Sequence, residues 1–329
     1  MVQFPNTTSA SGVWNMTDVY NNRLGGTWPS LLDTGFFGGG YIPNSNVIQY
    51  VKIASSGNAI DFGDLTQARG TGNAAVASTT RGIWQGGFAS PVVSNVIDFI
   101  TIASVGNATD FGDLTQARRS GTAAGNSSTR GLLAGGYNAG SVNTIDFITM
   151  ATAGDSTDFG DLLTPRNRLG ATSNSTRALQ FGGSAPGDAQ NANIDYITIA
   201  TLGNSANFGS LTNAIRMAAG FASTTRGCRI GGYSDGGGGD PAGYFNIIDY
   251  VTIATTGNAT DFGDLTVGRA YLAGIDNGVK GLGAGGGSNT SNIIDFVTIA
   301  STGNASDFGD LLSAVYSLSG SSNANAGVQ

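Results

Sequence analysis

Short runs rich in apolar residues recur along this chain, separated by clusters of Gly, Asn, Ser and Thr. Residues 97–103 (IDFITIA) show their texture: Ile97, Phe99 and Thr101 fall on one face, Asp98, Ile100 and Ile102 on the other. A strand on the surface of a simple sandwich alternates apolar and polar, whereas a strand apolar on both faces is covered on both sides. The runs are too short for helices and are bounded by turn residues, so the pattern predicts an all-β protein whose sheets stack on neighbours at both faces.

The runs repeat. Residues 95–118 (NVIDFITIASVGNATDFGDLTQAR) return almost unchanged at 246–269, and more loosely four other times. The Phe of an FG pair marks the register at Phe62, Phe111, Phe159, Phe208, Phe262 and Phe308, at intervals of 49, 48, 49, 54 and 46 residues. Gly pairs at Gly39/Gly40, Gly86/Gly87, Gly135/Gly136, Gly182/Gly183, Gly231/Gly232 and Gly286/Gly287 give six units independently. Each unit divides into a small-residue strand, a second strand ending in Gly, the β-branched and aromatic third strand, and a short DFGDL strand. Four strands in about 48 residues, six times over, predict a six-bladed β-propeller. The first unit lacks an inner strand and the chain ends on an unmatched small-residue stretch, 311–329. The C-terminal strand is therefore expected to close the ring as the inner strand of the first blade, removing the sheet edge.

Composition narrows the chemistry. The 329 residues contain 22 acidic side chains, all Asp, and no His. Imidazole bases, Ser/His/Asp systems and His-containing metal sites are excluded. The single Cys228 excludes internal disulfides and cysteine clusters, and reads as a small apolar strand residue. A net charge of −7 and the lack of a basic run argue against nucleic acid. The opening MVQFPNTTSASG lacks the basic-then-apolar pattern of a signal peptide, and no window is apolar enough for a membrane span, so a protein made in a reducing cytoplasm without membrane insertion is expected.

Fifteen Asp fall in columns: Asp98, Asp146, Asp195, Asp249 and Asp295; Asp61, Asp110, Asp158, Asp261 and Asp307; Asp64, Asp113, Asp161, Asp264 and Asp310. Two basic columns accompany them, Arg69, Arg118, Arg166, Arg216 and Arg269, then Arg81, Arg130, Arg177, Arg226 and Lys280. Residues present in every blade are expected to be structural, pairing Asp with Arg and capping turns. The repeated DFG is no kinase signature without a His-Arg-Asp loop, and 281–287 (GLGAGGG) lacks the Lys of a phosphate loop. Asn and Asp oxygens in TGNATDFGD suit calcium, but the spacing of known loops is missing. No catalytic residue, cofactor or metal is predicted. The longest loop, 233–245 in the fifth unit, supplies Asp235, Asp240, Tyr244 and Phe245 as candidate partner-binding residues.

The Gly pair ending the second strand, the Asp-bearing third strand, the aromatic of the fourth and the Arg opening the next unit (Gly135/Gly136, Asp146, Phe159, Arg166) resemble the kelch repeat, over 34–329. Phe stands where that family usually has Trp. The resemblance implies a kelch-like propeller, a fold that serves mostly as a binding scaffold and more rarely as an enzyme. Residues 1–33 lie outside the repeat and are expected to form a short helical or extended anchor segment presenting Trp14, Tyr20 and Trp28. Their GxW, Tyr, Arg, WP order resembles segments preceding fibre modules in virion proteins of tailed marine bacteriophages, as does the repeat type. That resemblance implies a non-enzymatic virion protein (tail, fibre or surface decoration), docked on other virion proteins through residues 1–33 and binding a host-surface glycan or a neighbouring protein. The alternative is a carbohydrate-active propeller enzyme using an Asp pair.

Overall fold

The computed structural model describes residues 33–41, 43–70, 74–237, 240–287 and 290–324. Six four-stranded antiparallel sheets form the blades of a propeller. Blade 2 runs from the axis outward as Ala74–Ala77, Arg81–Gln85, Val96–Thr101 and Thr109–Asp113. Blade 3 follows as Thr122–Asn126, Arg130–Ala134, Thr144–Thr149 and Thr157–Asp161, and blade 4 as Gly170–Ser173, Arg177–Phe181, Asn191–Thr198 and Ala206–Ile215. Blade 5 uses Ala219–Ala222, Arg226–Ile230, Ile247–Thr252 and Thr260–Asp264; blade 6 uses Ala273–Asp276, Lys280–Ala284, Ser291–Thr298 and Ser306–Val315. Each inner strand contacts the next, and the last contacts the first.

Closure occurs as the small-residue tail predicts. Ser319–Ser322 pairs antiparallel with Thr34–Gly38 and becomes the inner strand of blade 1, beside Val47–Lys52 and Ile60–Asp64. Thr34 donates its amide to Asn323 Oδ1 at 2.9 Å, tying the two ends of the described chain together. Residues 1–32, with the expected anchor side chains Trp14, Tyr20 and Trp28, lie outside the described residues. Asp33 is buried against the ring, accepting from Asn277 Nδ2 and the Ala54 amide, each at 2.9 Å.

The doubly apolar third strand feeds two cores. Ile97 packs with Leu133 and Ile148 of blade 3, while Ile100 packs with Phe36 and Phe62 of blade 1. Six such clusters fill the six seams between neighbouring blades. A backbone clasp reinforces each seam at the rim. Between blades 1 and 2, Gly106 N donates to Phe62 O and Ala108 N to Asp64 O, while Asp64 N donates to Asn107 Oδ1 at 3.1 Å. The same three bonds join blade 6 back to blade 1 through Gly57, Ala59 and Asn58. The Gly of the FG pair is required here: at φ +149°, a Cβ on Gly63 would stand 2.4 Å from the Gly106 carbonyl oxygen.

One landmark shifts by a residue. In blade 6 the Gly pair equivalent to the others is Gly285/Gly286, not Gly286/Gly287, because Gly285 N donates to Ile293 O and Gly286 N to Val315 O, matching Gly231 and Gly232 in blade 5. Three consecutive glycines hid the register.

Candidate functional site

The most conspicuous titratable groups are the first Asp column and its arginines, and all are buried. Asp98, Asp146, Asp195, Asp249 and Asp295 each pair with a guanidinium, at 2.7 Å for Arg69–Asp98 and 2.8 Å for Arg118–Asp146. Arg118 also donates to the Thr144 and Leu133 carbonyls, and Thr115 Oγ1 to Asp146, so the pair is closed by hydrogen bonds on both sides. Burial pushes the Arg69, Arg118, Arg166 and Arg269 guanidiniums below their ordinary value, and the partner aspartates pull them back up. Groups held this way are structural.

Blade 5 corrects the expected column. Counting seven residues from each FG Phe reaches Arg69, Arg118, Arg166 and Arg269, but Ile215 in unit 4 and Val315 in unit 6. Arg216 is therefore one position late and does not pair with Asp249. Arg229, directly across the ladder from Asp249, supplies the charge instead. Ile215 fills the seam core in the arginine's place. Blade 1 drops the pair entirely, with Val315 at the arginine register and buried Gln49 in the Asp column, its Oε1 accepting from Leu312 N at 2.8 Å. The other two Asp columns take no part in these pairs; the DFG aspartates lie exposed on the rim.

The second basic column closes seams. Arg81 lies over the Phe99 ring at 4.7 Å and donates to Met150 O of blade 3; Lys280 lies over Phe296 at 4.9 Å and donates to Ala54 O of blade 1. In blade 1 the pairing is inverted: Thr34 faces Lys52 where other blades place Arg or Lys opposite Thr, and Lys52 Nζ donates to Thr34 Oγ1. Cys228 is buried in blade 5, and burial pushes its thiol up, as for an inert packing residue.

One end of the axis is built differently. Two residues after the arginine register the backbone turns left-handed at each of the five described positions, Ser120, Arg168, Met217, Tyr271 and Ser317, with φ between 53° and 60°. None is Gly, and such conformations in side-chain-bearing residues persist where the surroundings enforce them. The enforcement is a chain of backbone hydrogen bonds around the axis: Arg168 N donates to Ser120 O, Met217 N to Arg168 O, Tyr271 N to Met217 O and Ser317 N to Tyr271 O, at 2.7–2.9 Å. This collar surrounds an open axial cavity of about 120 Å³, lined further in by Ala171, Gly220 and Gly274 of the inner strands. Ser317 and Ser319 line it with buried hydroxyls that have no hydrogen-bond partner among the described residues. Beside the cavity, sharing Ser120, Arg168 and Tyr271 with it, a cleft of about 650 Å³ opens between Arg119 and Tyr137 of blade 3 and residues 185–188 of blade 4.

Charged and aromatic groups gather on this face from several blades. Arg168 pairs with Asp188 at 2.9 Å, and Arg216, displaced from the core, reaches Asp188 at 3.6 Å and Asp235 at 2.7 Å. Tyr271 lies 5.5 Å from Tyr316 with the rings tilted at 46°, and Tyr316 meets Tyr41 edge-on. Burial raises the Tyr271 phenol above its ordinary value, against the opposing pull of Arg168 and Arg216, so it remains a hydroxyl donor at neutral pH.

The expected loop residues divide. Residues 233–245 form a hairpin, Tyr233–Gly237 with Asp240–Tyr244, rather than an irregular loop. Asp235 is exposed on the axial face and Tyr244 is 41% exposed, its ring 5.0 Å from Tyr233. Phe245, expected to meet a partner, is buried at 7% in the seam between blades 4 and 5, because it follows the hairpin back into the sheet. Asp240 opens the second strand, and its side chain lies outside the described part. The collar and cleft escaped the sequence reading, although a signal was present: the second residue after the arginine register differs in chemistry between otherwise matching units. Among the described residues no cluster of three Asp or Cys side chains suited to a metal forms. The chain matches no protein-family model and no curated protein.

Proposed function

We propose that this protein is a non-catalytic, kelch-like binding propeller of a tailed bacteriophage virion, in its tail, fibre or surface decoration, which presents the collar face to a host-surface glycan. The observation carrying the reading is the contrast in side-chain chemistry. First-column carboxylates are locked in ion pairs, whereas the collar places Ser, Arg, Met, Tyr and Ser on equivalent backbone around one cavity. Aromatic rings edged by guanidinium, carboxylate and amide groups suit sugar faces and hydroxyls. The virion placement draws on the resemblance of residues 11–29 and of the repeat, with residues 1–33 docking on another virion protein.

A glycan array followed by a hydrolysis assay on every binder tests the reading. Binding without turnover is the expected result, and cleavage of a bound glycan would overturn it. An antibody to this chain should also label intact particles.

One observation favours a carbohydrate-active enzyme: Asp188 and Asp235, from different blades, meet at Arg216. Glycoside hydrolysis needs one carboxyl kept protonated, which apolar enclosure achieves. These two are 64% and 48% exposed and share a guanidinium, an arrangement better suited to binding. Turnover abolished by both Asp188→Asn and Asp235→Asn would establish the enzyme.

A further inference from the structure

Resting on the reading that the collar face binds a glycan, we infer that the glycan is acidic, its carboxylate held by Arg119 and its ring set against Tyr137 in the cleft between blades 3 and 4. Arg119 is the exception among the described cations. The buried arginines have Asp partners, Arg168 and Arg216 have Asp188 and Asp235, the seam cations donate to carbonyls, and Lys52 donates to Thr34. Arg119 has no carboxylate within ion-pair distance and no side-chain hydrogen bond among the described residues. Its guanidinium is held between two rings, 5.1 Å from the Phe88 centroid and 5.5 Å from that of Tyr137. Two aromatic faces fix the cation without neutralising it, so its ordering is complete before a ligand arrives.

The surroundings select the kind of anion. Arg119 and Arg168 line the cleft against the single carboxylate of Asp188, leaving one positive charge in a chain of net charge −7. A compact multivalent anion such as phosphate would meet Asp188 and gain nothing from the Tyr137 wall. A sugar ring carrying one carboxylate uses both the charge and the wall, and its hydroxyls find Asn167 and Ser141, which are already joined at 2.7 Å.

Titration calorimetry on the full chain, with a uronate trisaccharide, a sialylated trisaccharide, the neutral counterpart of each, and inorganic phosphate, tests this. An acidic saccharide should bind more tightly than its neutral counterpart and than phosphate, with affinity falling as salt rises. Arg119→Gln should weaken binding by at least about tenfold, since a charge-assisted hydrogen bond is lost, and Arg119→Lys should retain part of it. If Arg119→Gln lowers the melting temperature, Asp188→Asn decides instead: removing the competing carboxylate should tighten binding of the acidic sugar alone. Equal affinity for acidic and neutral saccharides overturns the inference and leaves the glycan reading standing, and so does undiminished binding by Arg119→Gln. Phosphate binding as tight as that of the acidic sugar overturns the saccharide selectivity, and no saccharide binding overturns both readings.

Discussion

The buried pair of blade 5 and the collar at the axis are opposites. In blade 5 the same chemistry comes from a different sequence position, Arg229 standing in for the arginine that Ile215 displaced. At the collar, different chemistry rides on the same backbone: Ser120, Arg168, Met217, Tyr271 and Ser317 share a left-handed turn and one bonding pattern. The difference follows from what each region must satisfy. A carboxylate at 0% exposure requires a cation, and which strand supplies it is immaterial, so the pair moves or vanishes as a unit. The collar is held by main-chain bonds, which leave its side chains free to vary.

The largest effect should come from breaking a pair. Asp146→Ala, leaving Arg118 buried alone, should cost about 3–5 kcal/mol in urea unfolding. Arg229→Leu should cost a similar amount, and adding Ile215→Arg should restore most of it. Failure of that rescue would break the claim that the cation's origin is immaterial.

Transplanting blade 1's solution should be far milder. Asp98→Gln with Arg69→Val should leave stability within about 1–2 kcal/mol of wild type, although each change alone is severe. An additive double variant would refute the idea that the pair is exchanged as a unit.

At the collar the expected sign reverses. Ser120→Gly removes the conflict between a side chain and φ 53°, and should stabilise by about 1 kcal/mol or less, the gain being offset in part by a looser unfolded chain. Destabilisation would mean that the Ser120 side chain, rather than the main-chain ring, holds the collar.

The smallest effect sharpens the pair side. Asp195 of blade 4 faces Leu163 where Asp98, Asp146, Asp249 and Asp295 each accept from a Thr (Thr66, Thr115, Thr212 and Thr266), and Ser205 Oγ bonds Asp195 instead, at 3.4 Å. Burial raises the Asp195 carboxyl above its ordinary value, outweighing Arg166 and Ser205. A raised folded value contributes stability that is present below the ordinary carboxylate range and is lost as pH rises through the folded value. Leu163→Thr, by returning a donor to the ionised form, should stabilise by about 1 kcal/mol at pH 7 and by less at pH 4. An equal gain at both pH values would separate the effect from Asp195.

Much of the fold can be read from the unit itself. Phe, Gly pair and small-residue strand recur often enough to count blades and to foresee that 311–329 closes the first. Two departures are single-residue slips of register, and a third, Phe245, is a loop aromatic that the hairpin carries back into a seam core. Arg216 sits one place beyond the register that Ile215 fills, and Gly287 one beyond the pair, and adjacent similar residues leave such shifts invisible without the ladder. The site was less legible. Asp235 of the long loop meets Arg216, but Arg119, Arg168, Asp188 and Tyr271 come from blades 3, 4 and 6, with nothing in their local sequence to join them.

The sequence by itself determined the number of blades, the four strands in each and the strand that shuts the ring, because those depend on patterns complete within one unit or at the two ends of the propeller. Only the tertiary structure decided which arginine neutralises which aspartate and which side chains share the axial mouth. Both depend on residues tens of positions apart meeting across blades, where burial, rather than sequence spacing, makes one partner equivalent to another.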